Sequence, residues 1–550
     1  MSFNRNLTLL FLALALGGLS SAPALEIPRW QPQDFSFRST TKHENPFMVD
    51  FSAEVTGPAG IHFTQPGFYD GEGTWKVRLG PNIPGKWYIR TISSDGQLNG
   101  KDAGDIRCVE QKNPRIHGGL LVDPEHIHHF VREDGTRFFY SGFECDWLWA
   151  LDLGECDPAL PQTTILLDKL AANHFNVVYM NIYAHTGFGR KDQKPNFGPP
   201  PKYPWGGSNE QPDHSLLNLP FWQHYDRVIR AMWERGLEAH IMTKVYNKHV
   251  TWPRIGSPED DMYFKTALAR FSPFCNVHWD FSKESNNEKN MDYKLDRFAL
   301  IRKNDPYRRL LTTHTDHQLY TNYIGVLDYR TDQNHTNFHK TALRQRTREP
   351  WPVVNSEYGY EYGPLGPEDK TYHGANDAAT ILKRAWEVYM AGAYGAYYYT
   401  YTSWDVIRVH DNPIGYGYYK NLANFFEQTG LWLMDPDNSL VNTGHCLANP
   451  GREYVVYQPD RKDFTLKVQG VIAPLTTTWF NPLTDEMMRA GETGNGDKTF
   501  TPPAGWPEGP IALHLGGPPA EKPIFRNTFR RVIPTKETIK LAPAASNPLK

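Results

Sequence analysis

An α/β fold is what the sequence predicts: a (β/α)8 barrel of the TIM type flanked by two all-β sandwich domains. Three observations predict it. Between residues 116 and 435, eight short apolar runs are separated mostly by stretches of helical spacing, and eight βα units point to a closed barrel. On either side, short runs alternate apolar and polar residues with period two between Pro/Gly turns, the pattern of antiparallel sandwiches. The 550 residues leave room for a barrel of roughly 250 residues or more and for smaller domains beside it. A doubly wound sheet would instead want a G-x-G-x-x-G after its first strand, and none follows it.

Residues 1–24 read as a secretory signal. Arg5 supplies a positive start, residues 9–16 are unbroken apolar, and Ala22, Pro23 and Ala24 fit an A-x-A cleavage site. The apolar run is short of the ~20 residues a membrane span needs. We therefore expect cleavage after Ala24, a secreted or periplasmic destination, and no membrane association of the mature chain. Residues 25–115 form the first sandwich: Trp75, Val77 and Leu79 alternate with polar neighbours, and Gly80-Pro81 and Pro84-Gly85 mark turns. In the barrel, strands are predicted at 138–142, 175–180, 237–242, 276–281, 309–313, 326–330, 353–355 and 393–399. Helices are predicted at 166–172, 222–236 and 261–271, the second from the spacing of Val228, Ile229, Met232 and Trp233. Residues 436–530 return to period two, with strands at 453–457, 464–468 and 476–480, and residues 531–550 are a Pro/Lys/Ala-rich tail.

Charge and cysteines narrow the function classes. With 58 basic and 61 acidic residues the net charge is −3, so the basic excess of a nucleic-acid partner is missing. Five cysteines, Cys108, Cys145, Cys156, Cys275 and Cys446, leave at least one thiol free and are too sparse for a disulfide scaffold; Cys145 and Cys156 are the pair close enough in sequence to bridge. No C-x-x-C or H-E-x-x-H suggests zinc, and no G-x-S-x-G suggests an esterase. His126, His128 and His129 have no clear carboxylate partner and read as a half-exposed hairpin, not a metal site. No metal and no cofactor is expected. The 16 Trp, 29 Tyr and 29 Phe suit either a large aromatic core or a protein that lays flat ligands against rings.

Barrel active sites lie where the strands end at the C-terminal face. The predicted fourth strand leads into Glu284 and the predicted seventh into Glu357. Two carboxyl groups facing one cleft are what glycosidic bond cleavage requires: one protonates the leaving oxygen, and the other attacks or activates water. A carboxyl group beside a carboxylate is harder to ionise, which keeps a donor protonated near neutral pH.

At these residues the chain resembles the clan A glycoside hydrolases, retaining (β/α)8 enzymes with an acid/base on strand four and a nucleophile on strand seven. It is most similar to the apiosidase-like group. Residues 132–142, from Arg132 to Gly142, are similar to that group's first-strand entry, and Asn276, Val277, His278 and Trp279 to its fourth-strand phrase. Residues 66–71 with the strands after them look like the sandwich fused ahead of such barrels. Tyr454 to Tyr457 with Trp479, Phe480, Asn481 and Pro482 resemble a C-terminal module sometimes labelled collagen-binding. The resemblance implies Glu284 as acid/base and Glu357 as nucleophile. Many clan A enzymes carry Asn just before the acid/base, and this chain has Lys283; Glu288 is an alternative acid/base on the same loop.

Other residues at strand ends are candidates for holding a sugar: Asp146 and Trp147 after strand one; Asn181, Tyr183 and His185 after strand two; Lys244 after strand three; His314 after strand five; Asp332 and His335 after strand six; and Trp404 after strand eight. Trp404 would offer a flat face to sugar C–H groups, and His314 a hydrogen bond to a hydroxyl. The expectation is a secreted glycoside hydrolase that cleaves a plant or algal poly- or oligosaccharide with retention. A non-catalytic carbohydrate-binding or adhesion protein and a polysaccharide lyase are the rival readings. The expected partner is a carbohydrate substrate, and the oligomeric state is not fixed by the sequence.

Overall fold

A computed structural model of the chain describes residues 24–187, 192–315, 320–368 and 375–517. The residues expected to form a signal, up to residue 23, and the expected tail at 531–550 lie outside the described residues. Eight parallel strands form the centre: Ser141–Glu144, Val177–Asn181, Glu238–Val245, Val277–Lys283, Leu311–Thr312, Arg330–Gln333, Val353–Glu357 and Tyr394–Tyr398. They hydrogen-bond in the order five-four-three-two-one-eight-seven-six, and a parallel bridge between His314 and Thr331 joins the fifth to the sixth. Nearly every residue of these strands is buried, because helices cover the outside while side chains fill the inside.

The inside is polar rather than aliphatic. His278 Nε2 lies 3.0 Å from Glu238 Oε2, and Arg132 donates to the other oxygen of Glu238. Higher up, Tyr329 Oη is 2.9 Å from His240 Nδ1, and His240 Nε2 is 2.8 Å from Asp280 Oδ2. Hydrogen-bonded partners of this kind make buried polar groups tolerable. The N-terminal end is closed by a small antiparallel sheet of Leu120–Val122, Phe130–Arg132 and Arg137–Phe138. Phe130 of that sheet packs against Tyr140, Tyr329 and Tyr394. His129, expected half-exposed, is instead buried, with Nδ1 2.7 Å from Tyr394 Oη.

All five cysteines are free. Among the described residues no helix is long and apolar enough to cross a membrane.

The N-terminal unit is a seven-stranded sheet over residues 25–109 with its own core of Ile27, Phe51, Val55, Trp75, Val77, Trp87 and Ile89. It meets the barrel through ion pairs of Arg78 with Asp226 at 2.8 Å and Arg270 with Asp70 at 2.7 Å, flanked by Arg78–Asp34 within the unit and Arg270–Asp226 within the barrel, both at 2.6 Å. The C-terminal unit holds a six-stranded sheet and a two-stranded antiparallel sheet of Phe464–Val468 and Gly496–Phe500. Its seam with the barrel is apolar. Trp386 of helix Ala378–Tyr389 stacks on Tyr457 at 4.9 Å, and Phe425 of helix Ile414–Glu427 stacks on Phe480 at 4.7 Å.

Glu361 shows how burial is felt in a short strand beside the barrel. Its carboxylate accepts from Tyr397 Oη at 2.6 Å and from the Gly415 N–H at 2.9 Å. Burial outweighs these bonds and raises its pKa from 4.5 to about 7. Between pH 4.5 and 7 the folded chain therefore binds more protons than the unfolded one. The associated stability is complete below pH 4.5 and is lost as pH rises to about 7, roughly 3 kcal/mol in all. Glu361→Gln removes the cost of ionisation, so at pH 8 the variant should unfold at higher urea than wild type, with the difference shrinking at pH 5. Parallel pH dependences for the two proteins would disprove the assignment.

Candidate active site

Three strand ends build the centre of the site. The first strand ends at Glu144, and Asp146 follows two residues later; the fourth ends at Lys283, and the seventh at Glu357. Lys283 is 1% exposed. Its ammonium lies 3.0 Å from Glu144, 3.2 Å from Asp146 and 3.5 Å from Glu357. Burial alone would discharge this lysine, but the carboxyl groups of Asp146, Glu144 and Glu357 hold it protonated. Glu144 is also fully buried, and burial pushes its carboxyl group well above the usual range despite the ammonium. One buried cation thus serves three carboxyl groups.

Glu357 is held on both oxygens. Oε2 accepts from Gln333 Nε2 at 2.5 Å and faces Lys283, while Oε1 accepts from Tyr360 Oη and lies 3.8 Å from His335. Glu357 remains 7% exposed, and His335 beside it has a half-exposed side chain. Glu284 follows Lys283 directly. It leaves the strand in the left-handed region with φ 57°, is half-buried, and lies within electrostatic reach of Lys248. A non-glycine residue held there is uncommon and costs about 1 kcal/mol or more. Glu288, the alternative on that loop, accepts the Asn290 N–H at 2.7 Å just before helix Met291–Asn304.

Trp404, also left-handed at φ 55°, is buried beside the site, so its ring is not the open sugar-binding face that was expected. Lys248 Nζ lies 4.0 Å and Lys283 Nζ 5.0 Å from its ring centroid. Burial, together with the charge of Lys283, lowers the Lys248 pKa to about 8. His314 is fully buried, with Nε2 3.2 Å from Ser356 Oγ and Nδ1 3.8 Å from Asp280. One donor atom each from Glu144, His314 and Glu357 lies within 4.8 Å of the others, a spacing that could suit a metal. The Lys283 ammonium already stands against two of the three, and its charge opposes a second cation there.

The structure brings Asp146, Glu357, His335 and Trp404 to one rim, with His314 just beneath. Asp146 Oδ2 also accepts from Tyr398 Oη. Other expected sugar ligands are occupied elsewhere. Lys244 is fully buried 2.8 Å from Asp260, with Tyr293 as a second partner, because two helices supply its acceptors away from the rim. Asp332 is fully buried and accepts from Arg330 at 2.8 Å and Gln345 at 2.6 Å, which ties the sixth strand to helix Phe338–Arg348. Asn181 accepts from Trp149 Nε1 at 2.9 Å; Trp147 and Tyr183 pack against Trp149, and both are buried. His185 lies farther out, 3.9 Å from Glu210. Glu144, Gln333, Tyr360 and Lys248 were not anticipated. The signal for Glu144 was its place two residues before Asp146, at the true end of the first strand.

Residues 125–437 match the family model of the apiosidase-like catalytic domain, and residues 26–94 match a domain of unknown function. No curated protein matches the chain. A Bacteroides vulgatus protein assigned as a glycoside hydrolase superposes with a TM-score of 0.73 at 20% identity, covering 90% of this chain and 99% of its own. A family 5 glycoside hydrolase from the same species gives a TM-score of 0.54 at 18% identity, over 73% of this chain and 94% of its own.

Proposed function

The chain belongs to the apiosidase-like catalytic domain family and is a glycoside hydrolase, and on that premise we propose that it cleaves O-glycosidic bonds by double displacement, with Glu357 as nucleophile and Glu284 as acid/base. The observation that carries the proposal is Glu357 itself. Its carboxylate sits at the rim end of the seventh strand, slightly exposed, with its oxygens fixed by Gln333, Tyr360 and Lys283. A carboxylate with restricted rotation and an open side suits in-line attack on an anomeric carbon. Glu284 follows Lys283 at the end of the fourth strand and lies within electrostatic reach of Lys248, which supports reading it as the second carboxyl group.

In the first step Glu357 bonds to the anomeric carbon as the leaving oxygen departs, and Glu284 gives that oxygen a proton. In the second step Glu284 takes a proton from water, the water oxygen bonds to the anomeric carbon, and the carbon–Glu357 bond breaks with its electron pair returning to the carboxylate. His335 supplies a polar contact beside Glu357. We read the substrate as a plant or algal poly- or oligosaccharide, the flanking β units as sandwiches, and residues 1–24 as a signal that exports the enzyme. Incubation with a polysaccharide panel should release reducing sugar, and NMR of the first product should show the anomer of the substrate. The opposite anomer, or an unsaturated sugar absorbing in the ultraviolet, would rule out the mechanism.

A further inference from the structure

We propose that Lys283 is a positioning residue that acts through Glu357, holding the carboxylate in place and stabilising its charge when it departs from the glycosyl-enzyme. The inference rests on the reading of Glu357 as nucleophile. Its basis is the three-carboxyl cluster: one ammonium 3.0 Å from Glu144, 3.2 Å from Asp146 and 3.5 Å from Glu357, with the Tyr398 and Trp404 rings 5.5 and 5.0 Å away. A lysine placed only to neutralise buried acids would need Glu144 and Asp146 alone. This one also reaches the oxygen of Glu357 that Gln333 fixes.

The chemical consequence differs between the two halves of the reaction. An ammonium beside a carboxylate favours the charged form, which weakens it as a nucleophile and improves it as a leaving group. When water attacks the anomeric carbon, the carbon–oxygen bond to Glu357 breaks, its electron pair returns to the carboxylate, and the proton from water goes to Glu284. Lys283 assists that return of charge. Without it, breakdown of the glycosyl-enzyme becomes the slow half.

The test uses Lys283→Met in the full chain, with the 2,4-dinitrophenyl glycoside of whichever sugar the panel releases. A folded variant should lose about a hundredfold in kcat with KM unchanged or lower. It should also show a burst of dinitrophenol and a steady-state glycosyl adduct on Glu357 by intact and peptide mass spectrometry. Lys283→Met strands two or three acids, so Lys283→Met/Asp146→Asn is made beside Asp146→Asn alone to relieve the buried charge. If the double variant works as well as Asp146→Asn, or if a folded single variant keeps activity within threefold and forms no adduct, Lys283 is only a counter-ion and the inference falls. Glu357→Ala run in parallel separates the two levels: activity in Glu357→Ala overturns the mechanism itself, whereas a dead Glu357→Ala with an active Lys283→Met overturns this inference alone.

Discussion

Glu357→Ala should abolish hydrolysis, lowering kcat by roughly 10^4 or more, the scale on which losing a covalent nucleophile acts. The side chain would be removed from a position where Gln333, Tyr360 and Lys283 converge, so the variant retains a pocket that still binds sugar but has nothing to attack it. Those three donors would then face a small polar hole. Leaving such groups unpaired costs about 1–3 kcal/mol each unless water enters, so circular dichroism and a melting curve must accompany the assay. The hole should also admit azide or formate. Either anion would restore cleavage of an activated aryl glycoside with the opposite product configuration. A folded Glu357→Ala retaining a tenth of wild-type activity would remove Glu357 from the mechanism.

Glu284→Gln has a different signature, because the need for a proton donor depends on the leaving group. The amide keeps shape and hydrogen-bonding capacity but has no proton to give. Release of a sugar alcohol, a poor leaving group, should slow by about 10^2–10^4, while expulsion of dinitrophenolate, which needs no proton, should slow far less. The alkaline limb of the pH profile should vanish with it. Equal losses in kcat/KM on both substrates would show that Glu284 is not the acid. In that case Glu288→Gln is the variant to compare, although its link to the Asn290 N–H ties it to the start of a helix.

All eight barrel strands could be read from the sequence, because strands buried on both faces stand out as short β-branched and aromatic runs. Two were displaced. The run 138–142 is apolar enough to look like the first strand, but Arg137–Phe138 is used in the hairpin sheet that closes the barrel, and the strand itself is Ser141–Glu144. Ending it early hid Glu144. Likewise 326–330 is apolar, but the sixth strand is Arg330–Gln333, so Gln333 and its bond to Glu357 were missed. Lys283 was noticed only as a departure from a family pattern. That it serves three acids at once depends on strands one, four and seven converging, which no local pattern encodes. The same limit explains Lys244 and Asp332: their position at strand ends was legible, but the helices that claim their side chains were not.

The seam beneath the C-terminal unit carries a practical consequence. Because Tyr457 and Phe480 lie flat on Trp386 and Phe425, a barrel severed from its appendage would carry an oily scar of stacked rings in contact with water. Anyone shortening the gene to a minimal enzyme must keep that appendage, or resurface the helices it shelters.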